Sequence, residues 1–172
     1  MSDVLVRPAR PQDMDAIMRI QEASYSCELV EAREVFQSML DTSWVACSVN
    51  DRERVLGFLL AHPWHDLENP PRLHRPVNDA PTTTSCYFLH DLSVDPRYRG
   101  RGIAAMLVGR MREARPELPL CLVAVNGTAN PFWKAKHGFE AVPCGDPGIL
   151  ESYADSTATY MLYLRGSAST NF

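Results

Sequence analysis

The chain has no run of about 18 apolar residues, the length a helix needs to cross a bilayer, so it offers no candidate membrane span. Its first residues, MSDVLVRPARPQD, are charged where an export leader needs an apolar stretch, and the expected location is the cytoplasm. The five cysteines (Cys27, Cys47, Cys86, Cys121 and Cys144) are odd in number and scattered, with no CxxC spacing. That speaks against a zinc site or redox pair and for reduced thiols, mostly in the core. Positive charge is not in surplus either: the formal net charge of −4 argues against a general binder of nucleic-acid phosphates. No internal repeat or linker marks a second domain.

What is present suits one globular unit. A length of 172 residues with 45% apolar and 22% charged residues can bury a core without disulfides or metals as staples. We expect a single domain over residues 1–164. The last stretch, 165–172, has no apolar period and reads as a frayed tail.

The elements follow from spacing. Val4 and Val6 alternate like a first strand, and Pro11-Gln-Asp13 opens a helix carrying Met14, Ile17, Met18 and Ile20. A second helix is expected from about Val30 to Leu40, with Val35, Phe36, Met39 and Leu40 on one face. Trp44 to Val49 and Val55 to His62 read as a hairpin. Residues 63–84 hold five prolines and read as a long irregular loop. Tyr87 to Val94 is a strand stopped by Asp95-Pro96, and Ile103, Ala104, Leu107, Val108 and Met111 trace the next helix. Leu120 to Val125 reads as a strand buried on both faces, Pro131 to Lys136 as a short helix, and Phe139–Val142 and Thr159–Leu164 as closing strands.

Chemistry concentrates between the strand ending at Val94 and the helix starting near Ile103, in Arg99-Gly100-Arg101-Gly102-Ile103-Ala104. The first turn of a helix has unpaired N–H groups and partial positive charge, and glycines let a diphosphate approach the backbone, with Arg99 and Arg101 adding charge. Such a pattern equally describes a glycine-rich helix start with two solvated arginines.

Arg99, Gly102 and Ala104 match the Arg/Gln-x-x-Gly-x-Gly/Ala signature of the GNAT acetyltransferase superfamily, and Asp91-Leu-Ser-Val-Asp-Pro96, Asn130-Pro-Phe-Trp133 and His137-Gly-Phe139 extend the likeness. The chain resembles that superfamily over about residues 4–164. Phe88-Leu-His90-Asp-Leu-Ser-Val94, Leu73-His-Arg-Pro76 and Ser26-Cys27-Glu-Leu29 are most similar to the arylalkylamine (serotonin-type) N-acetyltransferases. The resemblance implies an α/β (α+β) GNAT fold: a mixed, mostly antiparallel sheet of six or seven strands with about four helices, splayed between strands 4 and 5. It implies acetyl-coenzyme A as cofactor, a small-molecule amine as acceptor, no nucleic-acid or membrane partner, and a monomer or homodimer.

Residue by residue, the likeness implies that Leu92, Ser93 and Val94 hold the pantetheine arm and that Arg99 together with Gly100 to Ala105 (Gly100, Arg101, Gly102, Ile103, Ala104, Ala105) holds the pyrophosphate. Asn130 either contacts the cofactor arm or caps the helix at Pro131, and Trp133 packs on the cofactor. His90 is implied as a water-linked general base, since an ammonium must lose a proton before it attacks a thioester; its alternative is a core histidine bonded to the backbone. Asp91 is expected on the opposite face of the strand. The relatives carry a second histidine where this chain has Phe88, and a thiolate-protonating tyrosine where it has Trp133. Tyr153 or Tyr160 could supply that proton. Tyr25, Cys27, Glu28, Leu29, Phe36 and Trp64 are the expected substrate residues, with Phe36 alternatively core and Trp64 alternatively a sheet-edge cap; Leu67 is a further candidate wall. His62, His65 and His74 lack fixed metal-ligand spacing, so no metal is expected.

Two rival functions stay open at this point. One is the same chemistry on a polyamine, an aminoglycoside or a protein N-terminus; the other is a non-catalytic acyl-coenzyme A sensor.

Overall fold

The computed structural model describes residues 3–77, 81–125 and 131–164. Seven strands form one sheet in the order β1-β2-β3-β4-β5-β7-β6: β1 (Val4–Pro8), β2 (Trp44–Ser48), β3 (Val55–Trp64), β4 (Cys86–Val94), β5 (Leu120–Ala124), β6 (Glu140–Ala141) and β7 (Thr159–Tyr163). Every pairing is antiparallel except β4 with β5. This is the mixed, mostly antiparallel sheet of the GNAT fold.

Helices cover both faces. On one, α1 (Met14–Glu22) and α2 (Arg33–Gln37) bury Met14, Ile17, Ile20, Val35 and Phe36 against Val45, Phe58 and Leu60. On the other, α3 (Ile103–Ala114) buries Ile103, Leu107, Val108 and Met111 against Leu59, Ala61, Leu89 and Leu122, joined by Trp133 from a short π-helix (Phe132–Lys136). Three α-helices and this π-helix are the flanking helices among the described residues.

Two expectations need correction. The helix expected from Val30 to Leu40 is only α2, followed by a 3₁₀ turn at Leu40–Thr42. Glu31 is turned inward and 3% exposed, and Ala32 is extended with ψ 151°, so the helix cannot begin before Arg33. β3 also runs through Pro63 to Trp64. Proline brings no N–H there, and its partner Tyr87 sends its own N–H to the Pro119 carbonyl at 3.0 Å.

Two features of β4 shape the site. Its ladder to β5 is confined to Tyr87↔Leu120 and Phe88↔Cys121, after which the strands part. On its other side, Leu60↔Asp91 is followed by Ala61↔Leu89, so one residue of β4, His90, is extra. This bulge breaks the alternation: Leu89 and Leu92 both face α3, and His90 and Asp91 lie together on the α1 and α2 side. The expectation that Asp91 points away from His90 fails for that reason.

Candidate active site

The gap between the parted strands is a cavity of about 1040 Å³. One wall is the β4 edge from Leu89 to Val94, and the opposite wall is Leu122 to Val125. Beyond Phe88 this edge of β4 has no strand partner among the described residues, so its backbone groups are left for something else to bond.

One end of the cavity is formed by the turn into α3. Gly100 and Gly102 have φ of 77° and 78°, the left-handed region that glycine enters without strain, and no atom beyond the adjacent residues lies within 4 Å of where a Cβ would stand on either. The first bond of α3 runs from Met106 N–H to the Gly102 carbonyl. The N–H groups of Ile103, Ala104 and Ala105 therefore precede the helical ladder and lie at its positive end. Gly100, Gly102, Ile103, Ala104 and Ala105 all line the cavity.

The two arginines behave differently from expectation. Arg99 reaches the lining, but its guanidinium is committed to the Val94 carbonyl at 3.1 Å and the Ser24 hydroxyl at 3.0 Å. Arg101 stacks over the Tyr98 ring at 5.3 Å, outside the lining. Trp133 lines the cavity and is wedged against Phe132 and Phe139. Asn130 lies outside the described residues.

The other end holds the titratable groups. The His90 ring is 2% exposed and the Glu31 side chain 3%, and His90 Nε2 meets Glu31 Oε2 at 2.5 Å. Glu31 also accepts the His74 N–H at 2.7 Å through Oε1, and its own N–H donates to Gln21 Oε1 at 2.7 Å. Burial pushes the Glu31 carboxyl up, but the bond from His90, its charge and His74 outweigh it and hold the carboxyl below its ordinary range. Glu31 thus ties the loop carrying His74 to the segment before α2. His74 is held there at φ 62°, which a non-glycine residue adopts only under constraint.

Beside this pair, Asp91 Oδ1 accepts from the Tyr25 hydroxyl at 2.8 Å and the Ser93 hydroxyl at 3.0 Å. Burial raises the Asp91 carboxyl to about 6, against the opposing bond from Tyr25 and the charge of His90. Burial likewise drives the Tyr25 hydroxyl well above its ordinary value, and the Asp91 charge adds to it. Tyr153 lines the cavity from a 3₁₀ segment (Pro147–Tyr153) and donates to the Pro71 carbonyl at 2.7 Å; burial, then the Glu31 charge, keeps it protonated.

The expected site residues divide cleanly. Leu92, Ser93, Val94, Arg99, Gly100, Gly102, Ile103, Ala104, Ala105, Trp133, His90, Tyr153, Tyr25 and Leu29 all border the one cavity. Phe36 does not: it is fully buried in the core, its ring edge-on to His90 at 6.4 Å, so it supports the histidine and walls nothing. Trp64 caps the sheet end with its indole N–H on the Asn69 carbonyl, packed in a separate apolar cluster with Leu67. Cys27 and Glu28 are exposed and off the lining, and Tyr160 donates to Leu67 away from it.

Sequence reasoning missed Glu31. The signal was available: Glu31, Val35 and Met39 are spaced four apart on the buried stripe, and a carboxylate on such a stripe needs a partner.

Comparisons agree with this architecture. The model of the Acetyltransferase (GNAT) family matches residues 14–139. No curated protein sequence matches. Among solved structures, Rv2747 from Mycobacterium tuberculosis, in complex with CoA and NLQ, is 18% identical, with a TM-score of 0.67 over 94% of this chain and 99% of that one. Naa50 from Arabidopsis thaliana, in complex with the bisubstrate analogue CoA-Ac-MVNAL, is 11% identical, with a TM-score of 0.64 over 96% and 100%. GphF, a GNAT-like decarboxylase in complex with isobutyryl-CoA, is 15% identical, with a TM-score of 0.70 over 92% and 98%. With the family model spanning most of the described core and the parted β4 and β5 in place, the chain belongs to the GNAT acetyltransferase family of acyltransferases.

Proposed function

We propose that this chain is an acetyl-coenzyme A-dependent N-acetyltransferase acting on the primary amine of a small molecule with an aromatic or apolar body, of the arylalkylamine kind. One observation carries the reading: a single cavity joins an unpaired strand edge and a glycine-opened helix start to a buried carboxylate–imidazole pair.

The fit to the donor is chemical. Ser93 spends its backbone groups on Phe58 of β3, and the Val94 carbonyl accepts from Arg99. The Leu92 N–H and C=O and the Val94 N–H are therefore the groups offered to an amide-bearing arm, and the open turn at Gly100 and Gly102 with the first N–H groups of α3 suits a diphosphate. Arg99 acts by fixing that turn against Val94 and Ser24. When bound, acetyl-coenzyme A supplies an acetyl group activated as a thioester.

The protein's own groups handle protons. An ammonium is a poor nucleophile until it gives up a proton, and His90 is the acceptor. With its ring nearly closed off and its Nε2 side taken by Glu31, the proton reaches it over a water. Glu31 then faces the imidazolium that forms and stabilises it. Tyr153 stays protonated, and its hydroxyl would have to turn from the Pro71 carbonyl to serve a departing thiolate, since Trp133 has no titrating proton. Tyr25, Leu29, Leu73 and Tyr153 supply apolar and aromatic surface to the acceptor.

The test is amine-dependent release of coenzyme A thiol with tryptamine, phenylethylamine, spermidine, an aminoglycoside and a peptide as acceptors. Release with the arylalkylamines, cut at least 100-fold at neutral pH but much less at high pH by His90→Ala, is the expected result. Release only with another acceptor would move the substrate class, and donor binding without any release would leave a sensor.

A further inference from the structure

His62 has no part in the chemistry above, yet it stands next to His90. It lies on β3, 1% exposed, with its ring 5.9 Å from that of His90 at an interplanar angle of 51°. Their hydrogen-bond partners fix the tautomers. His62 Nδ1 lies 3.0 Å from the Pro63 carbonyl, which only accepts, so Nδ1 carries the hydrogen and Nε2 is a bare lone pair. His90 Nε2 lies against the Glu31 carboxylate, which also accepts, so the hydrogen sits on Nε2 and the open nitrogen is Nδ1.

Those two open nitrogens, His62 Nε2 and His90 Nδ1, are both fully buried and without a hydrogen-bond partner. Leaving two such atoms unpaired costs free energy. Two lone pairs cannot satisfy each other. One water donating to both can.

We propose that His62 is a positioning residue for His90: through one buried bridging water, its Nε2 lone pair accepts from the Nδ1 hydrogen of His90 when His90 takes up the proton of the acceptor amine. This deepens the reading of His90 as general base and rests on it. In the step, an N–H bond of the ammonium breaks, an N–H bond on the His90 ring forms, and no other species is consumed. The imidazolium then has an acceptor on each side, Glu31 on Nε2 and, through the water, His62 on Nδ1. Burial, and then the charge of His90, lower His62 to about 4, so it keeps that lone pair across the neutral range. The chain of contacts ends at a backbone carbonyl, which fixes the His62 ring and makes it an acceptor rather than a second base.

Other groups can move the same titration. His90 is faced by Glu31 from the segment before α2, by His62 from β3, and by Asp91 beside it; His74 and Tyr153 act through Glu31, and the remaining ring neighbours, Phe36 and Phe88, are uncharged. The test has to change His62 alone.

The direct readout is the imidazole nitrogen NMR spectrum of the free, full-length protein. In the wild type, His62 is expected as the Nδ1–H tautomer, neutral down to about pH 4. In His62→Phe, which keeps an aromatic ring but removes the acceptor, the His90 ionisation is expected to move to lower pH, and amine-dependent turnover at pH 7 to fall roughly tenfold. His62→Gln, whose side-chain oxygen can stand where Nε2 stood, should restore most of both. An Nε2–H tautomer for His62, or a His90 ionisation unmoved in His62→Phe, would overturn the proposal. If the NMR shift is present but His90→Gln retains full turnover, the base reading fails and the proposed role falls with it. If His90→Gln is inactive but His62→Phe leaves the titration unchanged, the base reading survives and this inference alone is refuted.

Discussion

Glu31, bonded to His90, and Asp91, its neighbour on β4, are both pushed up by burial, but the partners of Glu31 outweigh that push and those of Asp91 do not, and this difference is measurable. Asp91, raised to about 6, binds its proton more tightly in the folded chain than in the unfolded one, whose aspartates titrate near 4. Ionised Asp91 therefore weakens folding, and the penalty grows as pH rises from about 4 to about 6. Asp91→Asn, which can still accept from Tyr25, should be more resistant to urea than the wild type at pH 7, with the gap shrinking toward pH 4. Glu31, held below its ordinary range, contributes stability above the unfolded glutamate value of about 4.3 and loses it as pH falls through the folded value. Glu31→Gln should accordingly be weaker than wild type at pH 7, and that gap should close on acidification. Urea midpoints from pH 3.5 to 8 check both; parallel curves for either variant would refute the assigned charge state.

At the scale of elements, the closest constraint is where α3 crosses the sheet. A Cβ on Gly57 of β3 would lie 2.9 Å from the Ser93 carbonyl, 3.2 Å from Val94 and 3.3 Å from Ile103, the residue that begins α3. Gly57→Ala should therefore destabilise by roughly 1–3 kcal/mol and weaken donor binding, because relief of the contact shifts Val94 and the first turn of α3 together. Gly109, inside α3 with nothing within 4 Å of its Cβ position, is the contrast: Gly109→Ala should stabilise by roughly 0.5–1 kcal/mol with donor affinity unchanged. Thermal unfolding and calorimetric titration of both variants decide this. The elements themselves were legible where a period was long, as in the stripe from Ile103 to Met111. They were less so from Val30 to Leu40, where an inward carboxylate at Glu31 and extended Ala32 delay a helix that the apolar pattern would start at Val30. The bulge at His90 was invisible, because it arises from the register between two strands and not from either strand alone.

For the whole molecule, the glycine-opened end of the cavity, the proposed donor end, was readable as a backbone turn because its shape depends on Gly100 and Gly102, which stand in the sequence. The acceptor end was not. Glu31, His62 and His90 come from three separate segments, and only folding makes them neighbours. Phe36 and Trp64 read in sequence either as pocket walls or as core and cap, and the fold makes them core support and cap. The central claim is that the gap between β4 and β5 receives the pantetheine and diphosphate of the donor. It is tested most directly by amide hydrogen exchange of the purified protein with and without coenzyme A. Slowed exchange in 89–94 and 100–106, with β1 and β2 unchanged, is the expected result; protection elsewhere, or none at saturating coenzyme A, would contradict it.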